Sequence, residues 1–321
     1  MSVKNSLLIL FLVIITILSS CTEEVEKKIP HSTFGLVDIS VCNMRIEPSH
    51  RSELVSQALM GTPVEIVKDE SGWFYLITPD GYRGWVEKSA VEEMNEQDFK
   101  KWKESERLIY TGVNGKILAD TLSGIQLSDI VKGCIVNSEG YFGDYAAVRL
   151  PGNRTGFLYA DEVEKLRQWA FSTRPGEEEL RKMSEEFVGV PYLWGGTSAK
   201  AFDCSGFTKS LYFFSAMLLE RDASQQYQHG IKISRDNCPD SLKTGDLLFF
   251  GLNQDKPTHV GMYIGDNEYI HASGMVKINS LDSTRNNFSR YRLNSLLGAR
   301  RVIGAEYEEG LLPVSESSFY F

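Results

Sequence analysis

A chain of 321 residues exceeds the usual size of one domain, and two or three bodies of roughly 100–200 residues each are expected. Its 42% hydrophobic and 24% charged residues are the mixture of a globular protein, with no need for a large unstructured part. A formal net charge of −9 with no long basic cluster excludes a general nucleic-acid binder, because neutralising phosphates needs a basic face.

Lys4 precedes an apolar run over residues 7–18 that only Thr16 interrupts. A spanning helix needs about 20 apolar residues, so the run reads as the core of a signal peptide over residues 1–20. Leu18-Ser19-Ser20-Cys21 resembles the lipobox of bacterial lipoproteins. That resemblance implies cleavage before Cys21, lipid attachment to it, and an exported protein held to a membrane by its acyl chains. An uncleaved anchor helix is the alternative. The charged residues Glu23, Glu24, Glu26, Lys27 and Lys28 make residues 21–34 a tether.

Residues 35–94 carry short strand-like runs at 64–67, 73–77 and 84–86, with Pro79-Asp80-Gly81 as a hairpin turn. Residues 108–170 repeat the plan. Gly72-Trp73-Phe74 is echoed by Gly140-Tyr141-Phe142, Pro79-Asp80-Gly81 by Pro151-Gly152-Asn153, and Gly84-Trp85-Val86 by Gly156-Phe157-Leu158. The pattern resembles tandem bacterial SH3-like domains, which implies two small all-β barrels. Phe99 and Trp102 share one helical face, so residues 95–107 are expected to form a connecting helix. Trp73, Trp85 and Trp102 are read as core residues.

The character changes at residues 175–304. Glu177, Glu178 and Glu179 suit the positive end of a helix, and Leu180, Met183 and Phe187 follow at helical spacing until Gly189 and Pro191 end it. Residues 204–219 form a second, strongly apolar and therefore central helix. Strand-like runs follow at 247–250, 259–264, 268–273, 275–278 and 299–303, and helices followed by antiparallel strands make an α+β domain. Residues 305–321 give no clear pattern.

Apart from Cys21, the cysteines are Cys42, Cys134, Cys204 and Cys238. None forms a CxxC pair or a zinc-type spacing with histidine, so neither a metal nor any other cofactor is expected, and no disulfide framework is suggested. Cys42, Cys134 and Cys238 are read as buried small hydrophobes. Cys204 falls at a helix N-terminus, where the helix dipole and a nearby imidazolium can lower a thiol pKa from about 8.5 to roughly 3.5–7.5. Position alone leaves an inert buried cysteine open. Two of the five histidines, His259 and His271, lie on adjacent strands of one hairpin. With Gly265-Asp266-Asn267 as a three-residue loop, Ile264 faces Glu268 and Met262 faces Ile270. The two histidines are then diagonal neighbours on one face, with Gly261 leaving room for the His271 ring. The chemistry assigns Cys204 as nucleophile, His259 as general base and acid, His271 as its orienting partner and the Cys204 N–H as an oxyanion donor.

Gly189-Val190-Pro191-Tyr192-Leu193-Trp194-Gly195-Gly196 and Phe202-Asp203-Cys204-Ser205-Gly206-Phe207 resemble the NlpC-type family of papain-like cell-wall cysteine peptidases. Arg221-Asp222-Ala223-Ser224-Gln225-Gln226, Lys243-Thr244-Gly245-Asp246-Leu247-Leu248-Phe249-Phe250, His259-Val260-Gly261-Met262-Tyr263-Ile264-Gly265 and Tyr269-Ile270-His271-Ala272 follow in the family's order. The resemblance implies an α+β papain-like catalytic domain behind two SH3-like barrels. It also implies hydrolysis of the γ-D-glutamyl bond to a diamino acid in peptidoglycan stem peptides. By it, Tyr192 lines the site near the oxyanion, while Asp203 and Ser205 touch substrate. A core aromatic, a helix cap and a first-turn residue are the respective alternatives.

The first β-domain, through Asn43-Met44-Arg45, Ser52-Glu53-Leu54-Val55 and Asp80-Gly81-Tyr82, further resembles the dipeptidyl-peptidase VI-like subgroup of γ-D-glutamyl-L-diamino acid endopeptidases. That subgroup releases L-alanyl-D-glutamate. The resemblance implies that Glu53 and Tyr82 reach the catalytic cleft and, with Asp222, bind the free amino terminus of a short peptide. The rival readings are an endopeptidase of intact cross-linked wall and a non-catalytic wall-binding lipoprotein.

Overall fold

The computed structural model describes residues 33–253 and 256–321. The signal peptide, Cys21 and the tether up to residue 32 lie outside the described residues. Seven strands come first: β1 (Thr33–Val37), β2 (Val41–Arg45), β3 (Leu54–Leu59), β4 (Pro63–Glu70), β5 (Trp73–Ile77), β6 (Arg83–Glu87) and β7 (Val91–Met94). They form one sheet in the order β3-β2-β6-β5-β4-β1-β7. Seven more follow: β8 (Arg107–Tyr110), β9 (Asn114–Leu118), β10 (Gln126–Val131), β11 (Ile135–Phe142), β12 (Tyr145–Arg149), β13 (Thr155–Tyr159) and β14 (Val163–Lys165). Their order, β10-β9-β13-β12-β11-β8-β14, repeats the first position by position.

The repeat is therefore topological, but its register differs from the sequence reading in one place. β12 corresponds to β5, so Tyr145 is the counterpart of Trp73, whereas Gly140-Tyr141-Phe142 ends the preceding strand. A glycine beside aromatics occurs on both sides of that hairpin turn, which is why the local pattern misaligned. The expected barrels are also corrected: each sheet is open, with its end strands at opposite edges.

Between the sheets, the helix Glu96–Glu104 starts at Asn95, whose side chain accepts from the Asp98 N–H, and it buries Phe99 and Trp102. Trp73 and Trp85 are buried as well. Beyond the second sheet, Glu177–Glu185 is helical, and its Leu180 packs inward with Phe187 just after it. The next helix, Cys204–Phe214, buries eight of its eleven residues, as a central helix should. It stops sooner than the apolar run. Ala216 takes a left-handed φ of 61°, and Met217–Leu219 becomes a strand paired antiparallel to Leu311–Pro313. An apolar run cannot by itself distinguish a buried helix from a buried strand.

Six strands complete the fold in the spatial order Ile231–Ser234, Leu296–Arg301, Leu247–Phe250, His259–Gly265, Glu268–Ser273 and Met275–Ser280. The hairpin keeps the expected pairing of Met262 with Ile270, but Gly265 rather than Ile264 faces Glu268. Asp266 and Asn267 both have positive φ, 52° and 60°, the signature of a two-residue type I′ turn, and a bulge before Gly265 absorbs the extra residue.

One continuous apolar cluster joins Leu59 and Met60 of the first sheet, Val131 and Val136 of the second, and Phe207, Leu247 and Val260 of the α+β part. A second cluster brings Val314 and Tyr320 against Phe99, Trp102, Leu166 and Trp169. Arg107 Nη1 donates to the Tyr320 carbonyl at 2.9 Å. The segment after residue 304, unreadable from sequence, is thus an integral strand and plug. Replacing the fully buried Tyr320 by Ala is expected to cost about 3 kcal/mol or more in urea unfolding; a loss below about 1 kcal/mol would mean the plug is dispensable.

Candidate active site

Asp203 explains why a helix begins at Cys204. Its Oδ1 accepts from the Gly206 N–H at 2.7 Å, capping the first turn, while Oδ2 accepts from the Gly195 N–H at 2.9 Å. Arg221, 2% exposed, completes the arrangement by pairing with both carboxylate oxygens. Arg221 also reaches Ser205 Oγ at 3.0 Å and Ser56 Oγ of the first sheet at 3.2 Å. The acceptor capacity of Asp203 is filled from within the protein. Asp203 is thus a helix cap and ion-pair anchor, the alternative reading of this residue, and it also lines the cleft over Cys204. Ser205 is likewise buried and held by Arg221.

Cys204 is thereby fixed at the first position of the helix, where backbone N–H groups lack intrahelical partners. His259 and His271 meet as expected: His259 Nε2 lies 2.7 Å from His271 Nδ1, with the rings nearly perpendicular at 88°. A Cβ on Gly261 would come within 3.0 Å of the His271 Cβ, so the position opposite the ring must be small. His271 Nε2 is 2.8 Å from Asn279 Oδ1. Neither Asn279 nor Arg221 was singled out from sequence. Asn279 lies at the far end of an unremarkable strand, and Arg221 was hidden in a motif read for its neighbour Asp222.

The electrostatics differ from the expected thiolate–imidazolium pair. Burial pushes the Cys204 thiol up, the neighbouring Asp203 charge adds to this, and the Val260 and Ser205 N–H groups oppose it. Burial pushes His259 well below its ordinary range, and His271 down to about 4. Both shifts point toward a neutral thiol and a neutral imidazole. The other cysteines are further from reactivity: burial raises Cys42 and Cys134 to about 12 and Cys238 to about 11. Cys238 is only half-buried, at the edge of the sheet, rather than a core residue.

A cleft of about 450 Å³ opens over the sulfur, lined by Cys204, Tyr192, Asp203, Ser205, Arg221 and Asp222 of the α+β part and by Glu53, Val55 and Tyr82 of the first β-domain. The Tyr192 hydroxyl stays protonated, raised to about 12 by burial and by Cys204 beside it. Tyr82, also raised to about 12 by burial and then by Asp222, bonds the Asp222 carboxylate. Burial raises Asp222 too, against the pull of Arg221. Trp194 Nε1 donates to Glu53 Oε1 at 2.7 Å, fixing that carboxylate at the rim. Among the described residues no cluster of three or more His, Cys, Asp or Glu side chains could hold a metal ion.

Comparison with known proteins agrees with this geometry. Residues 189–297 match the NlpC/P60 family and residues 40–92 the bacterial SH3 domain. The chain is 29% identical over 262 residues to dipeptidyl-peptidase 6 of Lysinibacillus sphaericus, spanning 77% of this chain and 92% of that protein. It is 28% identical to the γ-D-glutamyl-L-lysine dipeptidyl-peptidase of Bacillus cereus, over 70% of this chain and 68% of that one. A probable endopeptidase NlpC homolog of Haemophilus influenzae is 38% identical over 47% of this chain and 74% of its own length. The crystal structure of a NlpC/P60 family protein from Bacillus cereus shares the fold. It superposes with a TM-score of 0.71 at 22% identity, covering 84% of this chain and 99% of that one.

A neutral resting pair has a measurable signature. The thiolate fraction of a raised thiol grows with pH, so alkylation of Cys204 by iodoacetamide should quicken by up to about tenfold per pH unit between pH 6 and 9. A rate that is already high and flat below pH 6 would show the ion pair instead. Cys42 and Cys134 should stay unmodified throughout that range in the folded protein.

Proposed function

This chain belongs to the NlpC/P60 family and is a cysteine peptidase, and on that footing we propose that it cleaves the γ-D-glutamyl–diamino acid bond of short peptidoglycan peptides with a free amino terminus. Cys204 Sγ attacks the γ-carbonyl carbon while its proton passes to His259. The oxyanion is met by the Cys204 N–H and the Tyr192 hydroxyl. The C–N bond then breaks as His259 returns the proton to the leaving amine, and a thioester remains. Water, deprotonated by His259, attacks that thioester and restores the thiol. The neutral resting pair suits this order, since a free base takes up the thiol proton only as attack begins.

The observation that carries the substrate reading is the charge in the cleft. The cleft carries three carboxylates, Glu53, Asp203 and Asp222, against the one guanidinium of Arg221, which Asp203 binds, and the Tyr82 hydroxyl bonds Asp222. A substrate ammonium held by Glu53, Asp222 and Tyr82 offsets that excess negative charge through charge-assisted hydrogen bonds. Two of those three groups belong to the first β-domain, so the wall that binds the amine also stops a longer chain. We further read the second sheet as a second SH3-like domain, from its matching strand order. On the same reading, residues 1–20 export the protein and Cys21 anchors it.

Cys204→Ala should abolish cleavage in a folded protein, with a loss on the order of 10⁴ or more in kcat. Retention of a tenth of the wild-type rate would remove Cys204 from the mechanism. The amine reading is tested by comparing L-Ala-γ-D-Glu-L-Lys with its N-acetylated form. Loss of the ammonium should lower kcat/KM at least about tenfold. Equal turnover of the two would favour an endopeptidase of intact wall and leave the assignment of Cys204 standing.

A further inference from the structure

Asn279 makes two hydrogen bonds that together decide where the protons of the histidine pair sit. Its Nδ2 donates to the Asn287 carbonyl at 2.6 Å, a partner that can only accept. The amide is thereby oriented, and the atom facing His271 Nε2 at 2.8 Å is Oδ1, which also can only accept. His271 Nε2 therefore carries a proton, and in the neutral ring its Nδ1 is a lone pair. That lone pair lies 2.7 Å from His259 Nε2, so His259 Nε2 is the donor and His259 Nδ1 is bare.

The arrangement is backed by a further layer. Asn287 Nδ2 donates to Glu268 Oε1 at 2.9 Å, and Arg285 lies 3.3 Å from the same oxygen. The Asn287 carbonyl also accepts from the Ser280 N–H at 3.0 Å, which pins the loop after residue 280 onto the strand that carries Asn279. The other groups around the pair are the cations Arg292 and Lys277 and the ring of Tyr269, 5.1 Å from that of His271. Both cations oppose protonation of the histidines, whereas the hydrogen bond to the Asn279 carbonyl oxygen favours a proton on His271 Nε2.

Resting on the reading of Cys204, His259 and His271 given above, we infer that Asn279 is a positioning residue. It holds His271 in the Nε2–H tautomer, so that His259 keeps Nδ1 free as the base for the Cys204 thiol. An acceptor at this position is needed and a charged one is wrong. A carboxylate would favour an imidazolium at His271, whose Nδ1–H could no longer accept from His259.

Nitrogen-15 NMR of histidine-labelled wild-type protein at pH 7 reads the tautomers without any substrate. Both His259 and His271 are expected as neutral Nε2–H forms; a His259 carrying its proton on Nδ1 overturns the inference, whatever the enzyme cleaves. Kinetics supply the second arm. Asn279→Asp should move the acid limb of kcat/KM up by at least about one pH unit, because a nearby carboxylate favours the protonated ring. Asn279→Ala should lower kcat at least about tenfold with KM within about twofold. A merely structural asparagine would lower the melting temperature and leave the limb in place. A folded Asn279→Asp protein with an unshifted limb is therefore the second result that refutes the role.

Discussion

The buried pair of Asp203 and Arg221 is the constraint on which the site depends. One carboxylate caps the helix of Cys204, holds the Gly195 N–H and binds a guanidinium that in turn reaches Ser205 and Ser56. Such a pair is weak as a source of net stability, because desolvating both charges costs much of what their attraction returns. Its worth lies in geometry. Removing either partner strands the other charge in the interior, at about 3–5 kcal/mol, so Cys204, the Gly195 turn and the first sheet are held in one register or not at all.

That register makes a wall of the first sheet rather than a loosely hung module. Gln57 bonds the Thr197 N–H, the Thr197 hydroxyl and Ser198, and Asp80 pairs with Lys209 at 3.4 Å on the helix of the nucleophile. Gly195 has a φ of 80°, and a Cβ there would lie 2.6 Å from the Leu54 carbonyl. Leu54 adjoins Glu53, and Asp80 adjoins the turn that carries Tyr82. The residues that join the two parts are thus next-door neighbours of those that line the cleft. The shape of the cleft and the interface geometry are set by the same few residues.

What could be read in advance follows from how local the cause is. The helix at Glu177, the strands around His259 and the buried tryptophans follow from periodicity, and Cys204 and both histidines stand in motifs that the sequence displays openly. Asn279 and Arg221 were not, because their importance comes from partners far away in sequence. The end of the helix at Phe214 was hidden by an apolar run that suits helix and strand alike, and the partner of Met217–Leu219 lies among residues without a pattern of their own. The direction of the thiol and imidazole shifts was missed for a related reason. A helix N-terminus is visible in sequence, whereas the burial that outweighs it is a property of the assembled cleft.

The pairing of Met217–Leu219 with Leu311–Pro313 also bears on the order of events as the molecule forms. The strand that leaves the helix of Cys204 pairs with a segment that follows the whole central sheet in sequence, and closing so long a loop is slow compared with local structure. Until then the helix of Cys204 has its start fixed by Asp203 and its far end open. The capacity to cut peptide bonds is therefore acquired late. A chain halted or nicked before residue 311 would carry every reactive group in sequence without the packing that aligns them.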